Sequence, residues 1–151
     1  MTERRSKYNE MNALSAKVVA VSEPVFFVVD GEPRPKQSYR ALKTGGGYQT
    51  ARVKAWQNTV AWQAKQAMVG REPIEGNIAV RMIFTLGNNR RVDIDNLSKG
   101  TLDAMREIVF RDDCQITNLH VVKRVGGSAG VFIEVEPGGL LPMMNSLEIM
   151  G

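Results

Sequence analysis

A short acidic segment in a basic chain carries the residues that could do chemistry. Asp93 and Asp95 stand two residues apart, Lys99 follows four residues after Asp95, and Asp103 follows four residues after Lys99. The pair Asp112-Asp113 closes the segment. Carboxylates held close together repel one another unless a cation lies between them. A set of oxygen ligands without His or Cys suits Mg²⁺, with Mn²⁺ able to substitute, so the segment predicts a hard-cation site.

The middle of this segment has the periodicity of an amphipathic helix. Its apolar positions recur at helix spacing: Leu97, Thr101, Ala104, Met105 and Ile108. We expect a helix over residues 96–107, with Asp95 or Asn96 as the N-cap. Asp95, Lys99 and Asp103 then share the side away from the apolar stripe, and the positive helix end adds to the attraction for phosphate. The alternative is a solvated helix with an ordinary N-cap and a Lys–Asp pair one turn apart.

The segment resembles the RusA family of Holliday junction resolvases. The matching runs are residues 91–99 (RVDIDNLSK), 102–104 (LDA) and 110–116 (FRDDCQI). A weaker likeness extends over residues 24–136. The resemblance implies a Mg²⁺-dependent endonuclease that cuts branched DNA, here the four-way junction, by paired symmetric nicks in recombination and repair.

The resemblance also implies roles for individual residues. Asp93, Asp95 and Asp113 match the family's metal-binding aspartates, and Asp112 could share the role of its neighbour. Lys99 matches the lysine that the family needs for cleavage. These four matched positions, the three aspartates and Lys99, are the expected catalytic set.

Further polar residues are expected to support this set. Asn96 could hold a metal-binding carboxylate, and Asp103 is either a partner of Lys99 or an additional ligand. A loop with two prolines and a glycine run follows the first strand and carries basic residues that suit phosphate contact. Together with the arginines before the acidic segment, the expected DNA-binding residues are Arg34, Lys36, Arg40, Lys43, Arg90 and Arg91.

Composition bounds the fold and the compartment. The chain has 151 residues, 43% of them hydrophobic, and a net charge of +4, which fits one domain that favours polyanions. Its single cysteine, Cys114, fits a reducing cytoplasm and is expected to be small and partly buried rather than a nucleophile. The single histidine, His120, is expected to be structural or exposed. No apolar run has the length that spans a membrane, and the origin is expected to be bacterial, prophage or phage.

The pattern of elements predicts a small α+β domain. We expect the order β-α-β-α-β-β, with a mixed sheet flanked by two helices, over residues 23–137. Residues 1–22 are interpreted as a flexible arm and residues 138–151 as a tail. Thr50 is expected to cap the first helix, and the last two strands to form a hairpin through residues 126–130. Asp93 would lie in the loop where a strand leads into the second helix.

Paired cutting predicts a homodimer, because one chain carries one acidic cluster. Its contact could come from Trp62, the strand near Phe132 or the apolar tail at residues 140–144, while Trp56 is expected in the core. Two other functions stay open. One is a metal-dependent nuclease on flaps or other branched DNA, and the other is a DNA-binding protein without catalysis.

Overall fold

The domain is built from one four-stranded sheet and two helices. The computed structural model describes residues 23–36, 40–41, 47–48 and 50–141, with backbone alone for the two short pairs. The elements in chain order are β1 (Val25–Asp30), β2 (Arg40–Ala41), β3 (Gly47–Tyr48), α1 (Ala51–Ala67), β4 (Ile78–Leu86), α2 (Ile94–Met105), a 3-10 turn (Asp113–Gln115), β5 (Ile116–Val125) and β6 (Gly130–Pro137). The expected α+β class and order are confirmed, with β2 and β3 added as a two-residue ribbon. The arm at 1–22 and the tail from 142 lie outside the described residues.

Strand β4 is central in the sheet, whose order is β1-β6-β4-β5. It pairs in parallel with β5 and antiparallel with β6, and β6 pairs antiparallel with β1. All nine residues of β4 are buried. A parallel neighbour requires a crossover, and α2 supplies it between β4 and β5. The sheet is therefore mixed, as predicted.

The predicted hairpin of the last two strands is wrong. Strands β5 and β6 both pair with β4 and lie on opposite sides of it. The turn between them must cross the end of β4, a span of two strand spacings or about 10 Å. Gly126 and Gly127 have positive φ values of 98° and 91°, and the Gly126 N–H donates to the Leu86 carbonyl at 2.9 Å. The glycines thus shape a bridge over the strand end rather than a tight turn.

The core lies between one face of the sheet and the two helices. Alternate residues of β1, β4 and β6 point toward it, including Val29, Phe84 and Ile133, all with no exposed area. From α1 the core receives Trp56, as predicted, whereas Trp62 is 61% exposed. Within the described residues no helix is both long enough and apolar enough to cross a lipid bilayer.

The opposite face of the sheet holds a buried ion pair and an apolar edge. Arg81 on β4 donates to Glu134 on β6 at 2.6 Å, and both side chains are almost fully buried. Burial raises the pKa of the neighbouring Glu136, and the hydrogen bond and charge of Glu134 raise it further. Phe26 and Val28 on β1 are about half exposed on this face.

Candidate active site

The loop after β1 is docked on helix α2. The Lys36 N–H donates to the Asn96 carbonyl oxygen at 3.0 Å. A Cβ on Gly100 would touch the Lys36 nitrogen at 3.4 Å and the Arg34 carbonyl oxygen at 3.6 Å, so the loop rests against bare helix backbone. Gln57 of α1 donates to the Gly100 carbonyl at 3.2 Å. The three segments are thereby held in one arrangement around the first half of α2.

The start of α2 gathers two of the expected catalytic carboxylates. The helix begins at Ile94 with Asp93 as N-cap, so the predicted cap at Asp95 or Asn96 is wrong. The reason is that the first intrahelical bond runs from Leu97 N–H to the Asp93 carbonyl, at 3.1 Å. Asp93 caps with its backbone alone, which leaves its carboxylate free for other partners.

Asn96 contacts both of these carboxylates. Its side-chain amide donates to Asp93 Oδ2 at 3.4 Å, and its backbone N–H donates to Asp95 Oδ1 at 2.9 Å. Both aspartates are exposed, whereas Asn96 is half-buried. The position of Asn96 is the one predicted for a residue that orients a metal-binding carboxylate, and that role stays a prediction.

Lys99 lies one helical turn after Asp95 and is exposed. It makes no hydrogen bond or ion pair with any residue that the structure describes. Asp103, one turn further on, pairs instead with Lys36 from the docked loop. The sequence left open whether Asp103 pairs with Lys99 or adds a ligand, and the structure gives it a third role as the partner of Lys36. Lys99 therefore presents an unneutralised charge beside the carboxylates.

Asp113 is the most perturbed carboxyl of the acidic segment. Its Oδ1 is buried and has no hydrogen-bond partner among the residues that the structure describes. Burial raises the pKa of Asp113 above its ordinary value, and the charges of Asp103 and then Asp112 raise it further. Arg106 and Lys36 act in the opposite direction. Asp113 thus lies in the same local field as Asp103 and Lys36.

Asp112, unlike Asp113, caps the 3-10 turn that follows it. It is the N-cap of the 3-10 turn, and its side chain accepts from Cys114 N–H at 3.4 Å. Gln115 completes the turn, because its Oε1 accepts from Arg111 and Asp112 N–H at 2.7 and 2.9 Å. Its Nε2 donates to the carbonyls of Ile74 and Gly76.

Gln115 was missed from the sequence as a residue that positions Asp113. The signal was present, since a capping residue followed three positions later by Gln is a capping box. Asp112 is used as a cap, whereas Asp113 keeps an oxygen without a partner among the described residues, and the choice of Asp113 as the metal ligand of the pair stays a prediction.

The carboxylates form two groups along α2 rather than one. Asp95 and Asp103 are eight residues apart, which is about 12 Å along a helix axis. Among the described residues no three His, Cys, Asp or Glu side chains come close enough together to hold a metal ion. Mg²⁺ commonly takes one or two protein carboxylates and completes its shell with water and substrate phosphate. Each group could supply one or two such carboxylates. Asp113 has an Oδ1 without a hydrogen-bond partner among the described residues, and Asp93 and Asp95 are solvent-exposed carboxylates that accept hydrogen bonds from Asn96.

The expected DNA-binding residues differ in whether their side chains already bind other residues of the protein. Arg90 donates to Glu32 and to the Pro33 carbonyl, each at 2.8 Å, and Glu32 also accepts from Gly87 N–H at 2.5 Å. Arg90 is thus a brace between the loop after β1 and the end of β4. Arg34 and Arg91 have no ion pair with a described residue. The side chain of Arg40 and the whole of Lys43 lie outside the described residues.

The two remaining candidates are both on the surface. Cys114 is exposed, so the expected partial burial is wrong: it lies in the short turn, between Asp113 and Gln115, which are only partly buried. His120 is exposed on the edge strand β5, in agreement with the sequence analysis.

The acidic helix start next to a loop with basic side chains combines oxygen ligands for a hard cation with groups that bind phosphate, which is the chemistry of an enzyme that acts on nucleic acid. Comparison with known proteins gives the family. The family model described as Endodeoxyribonuclease RusA matches residues 30–136. The chain is also 30% identical over 124 residues to a crossover junction endodeoxyribonuclease RusA of Aquifex aeolicus (strain VF5), covering 80% of this chain and 97% of that protein. The chain belongs to the endodeoxyribonuclease RusA family.

Proposed function

We propose that the protein is a Mg²⁺-dependent, structure-specific endodeoxyribonuclease that resolves Holliday junctions by paired nicks. The observation that carries the proposal is the family match, which spans both groups of carboxylates, both helices and strands β4 and β5. The relative from Aquifex aeolicus is named for cutting crossover junctions and shares nearly its whole length with this chain. The exposed free Cys114 fits a reducing compartment, and we place the activity in the cytoplasm.

The chain's own residues supply binding, orientation and charge. Asp93 and Asp95 face solvent at a rigid helix start, where DNA can approach them. Asn96 fixes the Asp93 carboxylate, and the turn held by Gln115 fixes Asp113. Lys99 stabilises the negative charge that develops on phosphate oxygens as water attacks phosphorus. Mg²⁺, when bound, supplies Lewis-acid activation of water and neutralises charge on the phosphate.

The proposed working unit is a homodimer. Two symmetric nicks need two acidic clusters, and a C2 axis would present both to a four-way junction. Exposed apolar side chains support this, because Phe26 and Val28 on β1 are 53% and 55% exposed beside Phe132 on β6. Light scattering should give a dimer at micromolar concentration. Mixing wild type with excess Asp93→Asn should then nick one strand and leave the symmetric strand uncut, whereas a monomer that makes paired cuts would contradict the dimer.

The substrate class can be tested with three labelled DNAs. A four-way junction, a flap and a linear duplex of equal length are incubated with the protein in Mg²⁺ or in EDTA. The proposal expects paired cuts in the junction with Mg²⁺ and none in EDTA. Preferred cutting of the flap would favour the broader nuclease. Junction binding without any cut in Mg²⁺ or Mn²⁺ would favour a DNA-binding protein without catalysis.

A further inference from the structure

A cavity of about 580 Å³ opens between the loop after β1, the start of α1 and the chain that leads into α2. Among the described residues its lining includes no Asp or Glu but four arginines: Arg34, Arg52, Arg90 and Arg91. The other described lining residues are Pro35, Thr50, Ala51, Val53 and Val92. Positive side chains around one space repel one another, so those without an acidic partner cost free energy unless an anion or solvent lies beside them.

Three of these arginines have charges that nothing in the described structure neutralises. Arg34, Arg52 and Arg91 make no ion pair or side-chain hydrogen bond with any described residue. Arg90 is neutralised by Glu32, yet its Nε is buried and has no hydrogen-bond partner within the described segments. Arg90 is thus held in the cavity wall by its contacts to Glu32 and Pro33. Arg34, Arg52 and Arg91 supply the net positive charge.

The first turn of α1 adds to the same field. Thr50 is the N-cap and accepts from Val53 N–H, while the N–H groups of Ala51 and Arg52 have no partner among the described residues. Helix starts favour Asp or Glu, but this first turn has no acidic residue and carries Arg52 instead. Arg52 is exposed, and its charge beside the positive helix end does not stabilise the helix but suits an anion bound from outside.

A second cavity of about 300 Å³ lies on the other side of Arg34 and Arg52, which line both spaces. Asp30 and Glu32 line the smaller cavity, so an anion is attracted to the larger one. Trp56 also lines the smaller cavity, and its buried indole Nε1 has no hydrogen-bond partner in the described part of the chain. The smaller cavity therefore has acidic residues in its lining, whereas the larger cavity is lined by positive charges, Arg52 among them.

We propose that the larger cavity is a phosphate-binding pocket that holds the DNA backbone next to the scissile phosphate and sets the register of the strand. The occupant follows from position, because Arg91 precedes Asp93 by two residues and lies within about 7 Å of it along the chain. A phosphate bound there is within one or two nucleotides of the acidic segment. This inference rests on the proposed function, and it assigns Arg52 a role that the sequence did not indicate.

The test compares Arg52→Gln with Lys54→Gln, a matched control on the same helix that removes the same charge outside the cavity. Binding of a fluorescent four-way junction is measured in EDTA over a range of salt concentrations. Arg52→Gln and Arg91→Gln should each reduce the slope of log K against log salt by about one, whereas Lys54→Gln should keep it. In Mg²⁺, Arg52→Gln should spread the nicks over neighbouring phosphodiesters. Thermal unfolding checks the fold, and loss of the exposed Arg52 should not lower the Tm.

The outcomes separate this inference from the proposed function. A wild-type protein that binds and cuts the junction, with an Arg52→Gln slope equal to that of wild type, would overturn the pocket alone. Equal slope losses in Arg52→Gln and Lys54→Gln would also overturn it, because they indicate a diffuse basic surface. A wild-type protein that neither binds nor cuts the junction would overturn the proposed function and the pocket with it.

Discussion

Lys36 and Asp103 form an ion pair across 67 residues of sequence, joining the loop after β1 to the last turn of α2. Both side chains are partly exposed, at 39% and 27%. The pair places a cation in the field of Asp113, where it opposes the effect of burial. Lys36 is therefore a residue that organises the acidic region, although its sequence context predicts DNA contact.

The first prediction follows from this pairing. Lys36→Met should leave the salt slope of junction binding unchanged, because Asp103 already neutralises the lysine. It should lower stability by about 1 kcal/mol or less, the range for a partly exposed pair. Anisotropy titrations and urea unfolding measure the two effects. A slope of log K against log salt that falls by about one, as expected for Arg52→Gln, would show that Lys36 contacts DNA.

Lys99→Met separates a catalytic role from a structural one. The lysine is exposed and has no partner among the described residues, so the free energy of unfolding should change by less than about 0.5 kcal/mol. Single-turnover cutting should lose most of its rate while binding in EDTA is largely kept. Lys65→Met, an exposed lysine in the last turn of α1, is the matched control. Cutting at the wild-type rate by Lys99→Met would remove the lysine from the mechanism.

The third prediction concerns the pH dependence of stability. The pKa of Asp113 is raised above 3.8, so the folded protein binds this proton more tightly than the unfolded chain. Its stabilising contribution is complete below the ordinary pKa and is lost as pH rises through the raised value. Asp113→Asn should therefore gain stability relative to wild type between about pH 4 and neutrality, measured by urea unfolding in EDTA. Glu75→Gln is the control for net charge. A stability difference between Asp113→Asn and wild type that stays constant with pH would contradict the raised pKa.

The buried pair in the sheet gives a prediction unrelated to catalysis. Arg81→Met leaves Glu134 and Glu136 side by side without their cation, and should cost about 3–5 kcal/mol at neutral pH. The cost should shrink at acid pH as these carboxyls protonate. The double variant Arg81→Met, Glu134→Met should recover most of the loss, because it replaces the pair by apolar side chains. A single variant that costs under about 1 kcal/mol would show that the pair adds little.

Local sequence patterns were enough to predict the helices and the main strands. What they missed depends mostly on contacts between residues that are far apart in the sequence. The alternation of Ile78, Val80 and Met82 identified β4, and Thr50 marked the start of α1. The predicted end of α2 is two residues late, because Glu107 has a φ of 64° and turns the chain after Met105. Nothing in the sequence around Glu107 indicates this left-handed conformation.

Nonlocal pairing accounts for the other differences. The glycine run after β5 fits a hairpin as well as a bridge over β4, and only the competition among strands decides between them. Lys36 and Asp103 meet because the loop docks on Gly100, a contact that spacing cannot show. Arg52 was passed over because the arginines around its cavity come from three separate segments of the chain.

Cutting of a labelled four-way junction by wild type and Asp93→Asn, each in Mg²⁺ and in EDTA, tests the central claim most directly. Wild type should cut in Mg²⁺ and not in EDTA. Asp93→Asn should bind the junction as tightly or more tightly without metal, since a negative charge facing phosphate is removed, and should not cut it. Wild-type cutting at an equal rate in EDTA, or cutting by Asp93→Asn at the wild-type rate, would contradict a metal-dependent site at the start of α2.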